Sequence, residues 1–296
     1  MLGNRPNRPR LNSKVSTNPR ATSHQGPGQQ VEGTQAVLEL IRASKRAVSQ
    51  VLVDSRFEDC ETKPRLAEIQ SLCRARAIAI RYLSTEELDR VAKTSSCQGV
   101  LALADPIPLV DLKDILSSTS RPTDCGISGR DIHNSGPGGP AQPFVVVLDG
   151  VVDPQNFGAI TRSSLAFGVD AVIIPKNRAA SLSPSAIKAG AGAFEHVPIV
   201  EVPGIPNAID RLKRDKFWVL GLDPAGPEDV ESSKLLVEPL ALVIGCEATG
   251  LSNLVRSRCD QLVRIPQGPR VDSLNASVAC AVALYEVDRQ RRAASG

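Results

Sequence analysis

Between residues 144 and 265 the chain alternates short apolar runs with stretches of helical spacing. The runs are Phe144 to Leu148, Ala171 to Pro175, Val197 to Val202, Phe217 to Leu222, Leu240 to Ile244 and Gln261 to Ile265. They lack the polar/apolar alternation of a half-exposed strand, so each predicts a strand covered on both faces, as in a parallel sheet. Helical spacing near 156–167, 184–193, 206–214, 252–258 and 276–291 fills the gaps. Such alternation predicts an α/β domain whose ligands lie outside the strand C-termini.

Upstream, the pattern is shorter and mixed. Val31-Glu32-Gly33-Thr34-Gln35-Ala36-Val37-Leu38 predicts the start of a helix, and Val48 to Val53 a strand. Ala67 to Arg76 predicts a helix, Ile78 to Leu83 a strand, and Thr85 to Ala92 a helix with Glu86 and Glu87 in its first turn. Val100 to Ala104 closes a small α/β unit as a strand. Asp111 to Leu116 adds one helical turn, and Ser117 to Gln142 is rich in Ser, Gly and Pro, as expected of a linker or exposed loop. The expected division is therefore a tail over 1–30, a small domain over 31–104, a linker over 105–142 and a larger domain over 143–292.

Charge sharpens this division. The net charge is +3, yet residues 1–31 hold Arg5, Arg8, Arg10, Lys14 and Arg20 and no acid, which leaves the remainder at about −2. The body is thus not broadly basic, and the tail reads as disordered. It suits a solvated tail, an RNA-contacting arm or an organellar transit peptide. Nine aromatic residues (six Phe, two Tyr, one Trp) are too few for a stacking platform on single-stranded nucleic acid. Seven cysteines show no C-x-x-C pairing, and His24, His133 and His196 are scattered, so no metal site is expected. An odd cysteine count fits buried thiols in a reducing cytoplasm; a mitochondrion or plastid is the alternative that the tail leaves open. The apolar runs fall short of the roughly 18 residues of a membrane span.

Three segments at strand ends carry candidate chemistry. Leu148 to Arg162 runs from a strand through Asp153-Pro154 to Asn156, which could cap the next helix or serve a ligand. Arg162, six residues on, reads as lying on the face of Asp153 to Asn156, either as a surface ion pair or as a functional cation. Gly245-Cys246-Glu247-Ala248-Thr249-Gly250-Leu251 brackets one acid between two glycines. Glu247 there could satisfy loop amides or act on a ligand. Finally, Ile265-Pro266 leads to Ser273-Leu274-Asn275-Ala276-Ser277, where Ser and Asn could cap the following helix or frame a small polar ligand. That helix ends in Arg289, Arg291 and Arg292, which could touch phosphate. The glycine fingerprint of a dinucleotide site is absent after Leu148.

In this order, N-F-G-A-I-x-R, G-C-E-A-T-G-L and I-P-x6-S-L-N-A-S resemble the SpoU/TrmH family of RNA 2′-O-ribose methyltransferases. Residues 31–104, with Gln98-Gly99-Val100, resemble the family's N-terminal substrate-binding domain. The resemblance implies a C-terminal parallel-sheet methyltransferase domain tied in a deep trefoil knot, which periodicity alone does not suggest. It implies S-adenosylmethionine as cofactor, held by Gly245, Leu251, Ile265, Leu274 and Asn275. It also implies Asn156, Arg162, Glu247, Ser273 and Asn275 as catalytic positions. Ribosomal RNA, a guanosine of the large subunit in the most similar forms, is the implied substrate, and a homodimer through the knotted domain the implied assembly. Transfer RNA methylation, antibiotic-resistance rRNA methylation and a non-catalytic ribosome-assembly factor stand as alternatives. The chain departs from the usual family residues at Gln267, where relatives often carry Met, at Ala276 and at Cys97.

Overall fold

A computed structural model describes residues 28–59, 63–119, 142–270 and 273–295. The expected tail, apart from its last residues, and most of the Ser117–Gln142 stretch lie outside them.

The small unit begins with strand β1 (Gln29–Glu32), although the spacing predicts the start of a helix at Val31. Gly33, at φ +95°, breaks the chain direction, and helix α1 (Thr34–Ala43) starts only after it. Glu32 anchors the strand end: its carboxylate accepts from the Lys93 and Thr94 backbone N–H groups and from the Thr94 hydroxyl. Then come β2 (Val48–Asp54), α2 (Pro64–Ala75), β3 (Ala79–Leu83), α3 (Thr85–Val91) and β4 (Val100–Ala104). The sheet order is β1-β4-β2-β3, with only β2 and β3 parallel.

The larger sheet has eight strands, every neighbouring pair parallel. Its order is β10-β12-β9-β11-β6-β7-β8-β5. Six of these match the apolar runs: β6 (Phe144–Asp149), β7 (Ala171–Pro175), β8 (Ile199–Val202), β9 (Trp218–Leu222), β11 (Leu240–Gly245) and β12 (Gln261–Arg264). Two edge strands, β5 (Leu109–Val110) and β10 (Glu228–Asp229), are too short to leave a pattern. With β5 comes α4 (Leu112–Thr119), whose Ile115 and Leu116 are buried against the sheet. The start of the expected linker therefore belongs to the larger sheet. Along β6, Phe144, Val146 and Leu148 enter one core while Val145 and Val147 enter the other, which explains the unbroken apolar run. Helices α5 (Pro154–Ala166), α6 (Pro184–Gly190) and α9 (Ala276–Ser295) cover the first face. The other face takes α7 (Ile205–Arg214) and α8 (Asn253–Arg258).

The first core continues into the small unit. Val31, Val37 and Ile41 share it with Ile187 and Phe194. Through this junction runs an ion pair buried on both sides: Arg46 Nη2 stands 2.5 Å from Glu195 Oε1, and each side chain is 3% exposed. Arg46 Nη1 donates to Gln29 Oε1 and to the Asp105 carbonyl, both at 2.6 Å. The two units are thus joined by packing and by a satisfied charge pair.

Strand β12 lies beyond β9, yet α9 packs back on α5 and β11. The chain after Ile265 must therefore recross the strand ends. This return is consistent with the trefoil-knot class; of the crossing segment, residues 271 and 272 lie outside the described residues.

Candidate active site

The three motif segments meet in one hydrogen-bonded cluster. Asp153 caps α5, accepting from the Gln155 and Asn156 N–H groups at 3.1 and 3.3 Å, with Pro154 in the first turn. Asn156 is therefore not the cap. It is buried, its Nδ2 donates to Glu247 Oε1 at 2.9 Å, and its Oδ1 accepts from Asn275 Nδ2 at 3.0 Å. Asn275 Nδ2 also donates to Glu247 Oε1. The Ala276 N–H adds a further donor to that oxygen at 3.3 Å. On its other side Asn275 Oδ1 caps α9, accepting from the Ser277 N–H and hydroxyl at 2.9 and 2.6 Å and the Val278 N–H at 3.3 Å. For Asn275, cap and site member are the same role.

Glu247 sits in a loop closed by the glycines around it. Cys246 and Gly250 exchange both backbone hydrogen bonds, at 3.1 and 2.8 Å, and Asp149 at the end of β6 accepts from the Ser252 N–H at 2.7 Å. A Cβ at Gly245 would stand 2.3 Å from the Gly250 carbonyl carbon and 2.5 Å from the Leu251 nitrogen. Only glycine fits there. The loop walls a cavity of about 330 Å³, near the lower end of small-molecule sites (about 300–1,000 Å³). Gly245, Glu247, Ile265, Gln267, Ser273 and Leu274 are among its lining residues. Leu251 is not one of them. As an apolar side chain at the loop's base it is buried in the core, where a Cβ on Gly221 would stand 2.8 Å from its Cδ1. Asn275 stands behind the wall, bonded to Glu247.

Arg162 takes a different place from the one read in the sequence. Six residues at 100° each stop 120° short of two full turns, so Arg162 and Asn156 cannot share a helix face. Arg162 is exposed and lines a larger cavity, about 830 Å³, between the two units. Lys188 and His196 join it from the larger unit, and Gln35, Arg65 and Gln98 from the smaller. Lys188 Nζ donates to Thr94 Oγ1 at 3.2 Å and to the Ser96 carbonyl; His196 Nε2 is 3.2 Å from Glu39 Oε2. Arg65 and Arg162 make no hydrogen bond or ion pair with the described residues. The cavity therefore offers two uncommitted guanidinium groups. Sequence reasoning had no signal for it, because it exists only once the units dock.

The C-terminal arginines are structural instead. Arg289 pairs with Glu286 and Arg292 with Asp288. Arg291 lies over the Phe144 ring and donates to the carbonyls of Gln142, Leu236 and Glu238; burial pushes its guanidinium down to about 10. Among the described residues no cluster of His, Cys, Asp and Glu could hold a metal ion, and no helix is long and apolar enough to cross a membrane.

Residues 143–285 match the SpoU rRNA methylase family, and residues 30–110 match the substrate-binding domain of RNA 2′-O ribose methyltransferases. The 23S rRNA (guanosine-2′-O-)-methyltransferase RlmB of Haemophilus influenzae is 35% identical over 89% of this chain and 98% of its own. The chain belongs to the SpoU family. A putative TrmH family tRNA/rRNA methyltransferase of Bacillus subtilis is 31% identical over 88% of this chain and 95% of its own. Among solved structures, the SpoU methyltransferase AviRb of Streptomyces viridochromogenes, in complex with the cofactor AdoMet, aligns with a TM-score of 0.69 at 25% identity, over 89% of this chain and 90% of that one.

As a SpoU family member the chain is an RNA methyltransferase, and S-adenosylmethionine is the methyl donor of the family. The smaller cavity fits such a group: it has apolar walls in Leu222, Ile244 and Ile265 and a glycine where a side chain would collide. Gly245→Ala overpacks this wall at a cost of about 1–3 kcal/mol in stability and displaces the Gly250–Leu251 backbone from its place beside the cavity, so S-adenosylhomocysteine affinity is expected to fall by calorimetry. Wild-type affinity in that variant would contradict the assignment of the loop.

Proposed function

We propose that this chain transfers a methyl group from S-adenosylmethionine to a ribose 2′-hydroxyl of RNA, at a guanosine of large-subunit ribosomal RNA. The observation that carries this reading is the joining of Asn156, Glu247 and Asn275 at the wall of a cofactor-sized cavity. The target class is supported by likeness to RlmB enzymes of Haemophilus influenzae and Photobacterium profundum across nearly their whole length.

When bound, S-adenosylmethionine supplies an electrophilic methyl group and a neutral thioether leaving group. Main-chain groups at Gly245, Ile265 and Leu274, which line the cavity, would hold its adenosine, with Ser273 also on the lining. Asn156, Glu247 and Asn275 fix the loop, α5 and α9 relative to one another; Leu251 supports the loop from beneath. A ribose 2′-hydroxyl that took up this methyl group would give its proton to the neighbouring phosphate or to water. A guanidinium is a poor free base. Arg162 instead grips the RNA phosphate and stabilises charge developing on the 2′-oxygen. The interdomain cavity, with Arg65 and Gln98 opposite Arg162, receives the RNA beside the target.

The same reading includes a homodimer. Val278, Val282 and Tyr285 follow one another at i, i+4 and i+7 on α9 and are 47, 40 and 52% exposed, on the side away from Cys280, Ala283 and Leu284. Val282→Glu is expected to convert a dimer to a monomer in sedimentation velocity. A wild-type protein that sediments as a monomer at micromolar concentration would contradict this.

The substrate is tested by incubating the protein with tritiated S-adenosylmethionine and either bulk ribosomal RNA or bulk tRNA. Label in large-subunit rRNA is expected. Label confined to tRNA would move the substrate, and label in neither, where a known relative works, would sink the enzyme reading.

A further inference from the structure

Gln98 brings to the interdomain cavity a neutral donor that the other described residues leave unused. It stands in the turn between α3 and β4, is exposed, and lines the cavity as Arg162 does. Its Oε1 accepts from the Thr34 N–H and from the Thr34 hydroxyl, both at 3.1 Å. A backbone N–H can only donate, so the amide is held one way round, with its oxygen on the start of α1. Nε2 makes no hydrogen bond with the described residues.

The backbone is shaped to keep that orientation. Gln98 has φ +57°, a left-handed conformation that residues with a Cβ rarely adopt, and Gly99 follows at φ +81°. The Gly99 carbonyl accepts from the Asp54 N–H at 3.0 Å, and the Phe57 ring packs so closely that a Cβ on Gly99 would stand 2.6 Å from it. Capping the start of α1 explains the oxygen, because Gly33 has no side chain to do so. It leaves the two N–H bonds of Nε2 unexplained, since a carboxylate would cap as well without them.

The cations of this cavity, Arg65 and Arg162, suit phosphate, whereas a neutral NH2 suits the neutral acceptors of a base edge. Guanine sets two such acceptors, O6 and N7, side by side, which matches the two hydrogens of one NH2. Adenine has an amine where guanine has O6, and an amide whose oxygen is already occupied cannot accept from it. We infer that Gln98 is a specificity-determining residue whose Nε2 donates to the O6/N7 edge of a guanine in the bound RNA. This role rests on the methyltransferase reading and extends it to the base that is selected.

Methylation of altered RNA by the full-length protein tests it. Large-subunit rRNA is rebuilt around its mapped target by ligating in a synthetic segment. Each guanine from two nucleotides before the target to two after it is replaced in turn by 2,6-diaminopurine, which carries an amine in place of O6. At one position the wild type is expected to lose about two- to thirteenfold in kcat/KM, the worth of one neutral hydrogen bond. Gln98→Glu keeps an oxygen for Thr34 and puts a second oxygen, an acceptor, where the NH2 stood. At that same position it is expected to prefer diaminopurine to guanine, while its thermal midpoint stays near the wild-type value. Losses from altered RNA pairing strike both proteins alike and cancel in the comparison. A residue that only capped α1 would leave the base preference where it was.

The same guanine preference in both proteins at every position would overturn the role of Gln98 and leave the enzyme reading intact. A uniform loss in Gln98→Glu with no position inverted would do the same, as would a target with no guanine in that window. Wild-type protein that methylates no ribosomal RNA would overturn the methyltransferase reading itself.

Discussion

Arg162→Ala is expected to lower the rate of methyl transfer about 10²–10³-fold, the cost of removing one preorganised donor from a developing oxyanion. Affinity for S-adenosylhomocysteine is expected to stay at the wild-type value, because Arg162 lines the interdomain cavity and not the cofactor cavity. Arg162→Lys is the sharper test. Lysine keeps the charge but loses the planar fork that holds a phosphate with two parallel bonds, so turnover falls in this variant too. Near-full turnover with lysine would rule out the bidentate role. A loss of cofactor affinity in Arg162→Ala would show that the two cavities are not separate in function.

Glu195→Ala is expected to destabilise the protein by about 3–5 kcal/mol, because it leaves the Arg46 guanidinium buried and uncompensated. At about 2–4 °C per kcal/mol, the thermal midpoint falls by roughly 6–20 °C. The pair holds the small unit against the 3₁₀ turn Ala193–Glu195, next to Gly192, where a Cβ would stand 2.3 Å from the Cβ of Glu39. The interdomain cavity should therefore lose its shape along with the stability, and RNA binding should weaken more than cofactor binding. Replacing both partners with apolar residues, as in Arg46→Met with Glu195→Leu, is expected to recover most of the stability. If Glu195→Ala alone leaves the midpoint unchanged, the junction is not held by this pair.

Much of this architecture was legible in the sequence, and the parts that were not share a cause. Strands β6, β7 and β11 could be read because both faces are buried, so nearly every position is apolar. Strands β8, β9 and β12, nearer the sheet edges, carry exposed Glu201, Trp218 and Arg264 and keep only part of that pattern. The three motif segments could be read as sites because each pairs a strand end with small or amide-bearing residues. Asn156 could not be told from a cap by spacing: Asp153 does the capping, and this follows only from the geometry at Pro154. Val31 fits a helical spacing with Val37 and Leu38, but Gly33 and the long-range pairing with Ala102 make it a strand residue. Arg46 and Glu195 are 149 positions apart, and neither carries a local pattern that announces the other. The same holds for the cavity around Arg162. Local periodicity specifies elements, whereas docking and threading are set by contacts that periodicity does not encode.

The chemistry of the product tests the central claim most directly. An internal ribose methylated at the 2′-oxygen can no longer assist cleavage of its own phosphodiester, so alkali leaves it as a dinucleotide. Large-subunit ribosomal RNA labelled by this protein from tritiated S-adenosylmethionine is expected to yield its tritium in alkali-resistant dinucleotides whose 5′ nucleoside is 2′-O-methylguanosine. Tritium recovered in mononucleotides, as a methylated base would give, would contradict the account.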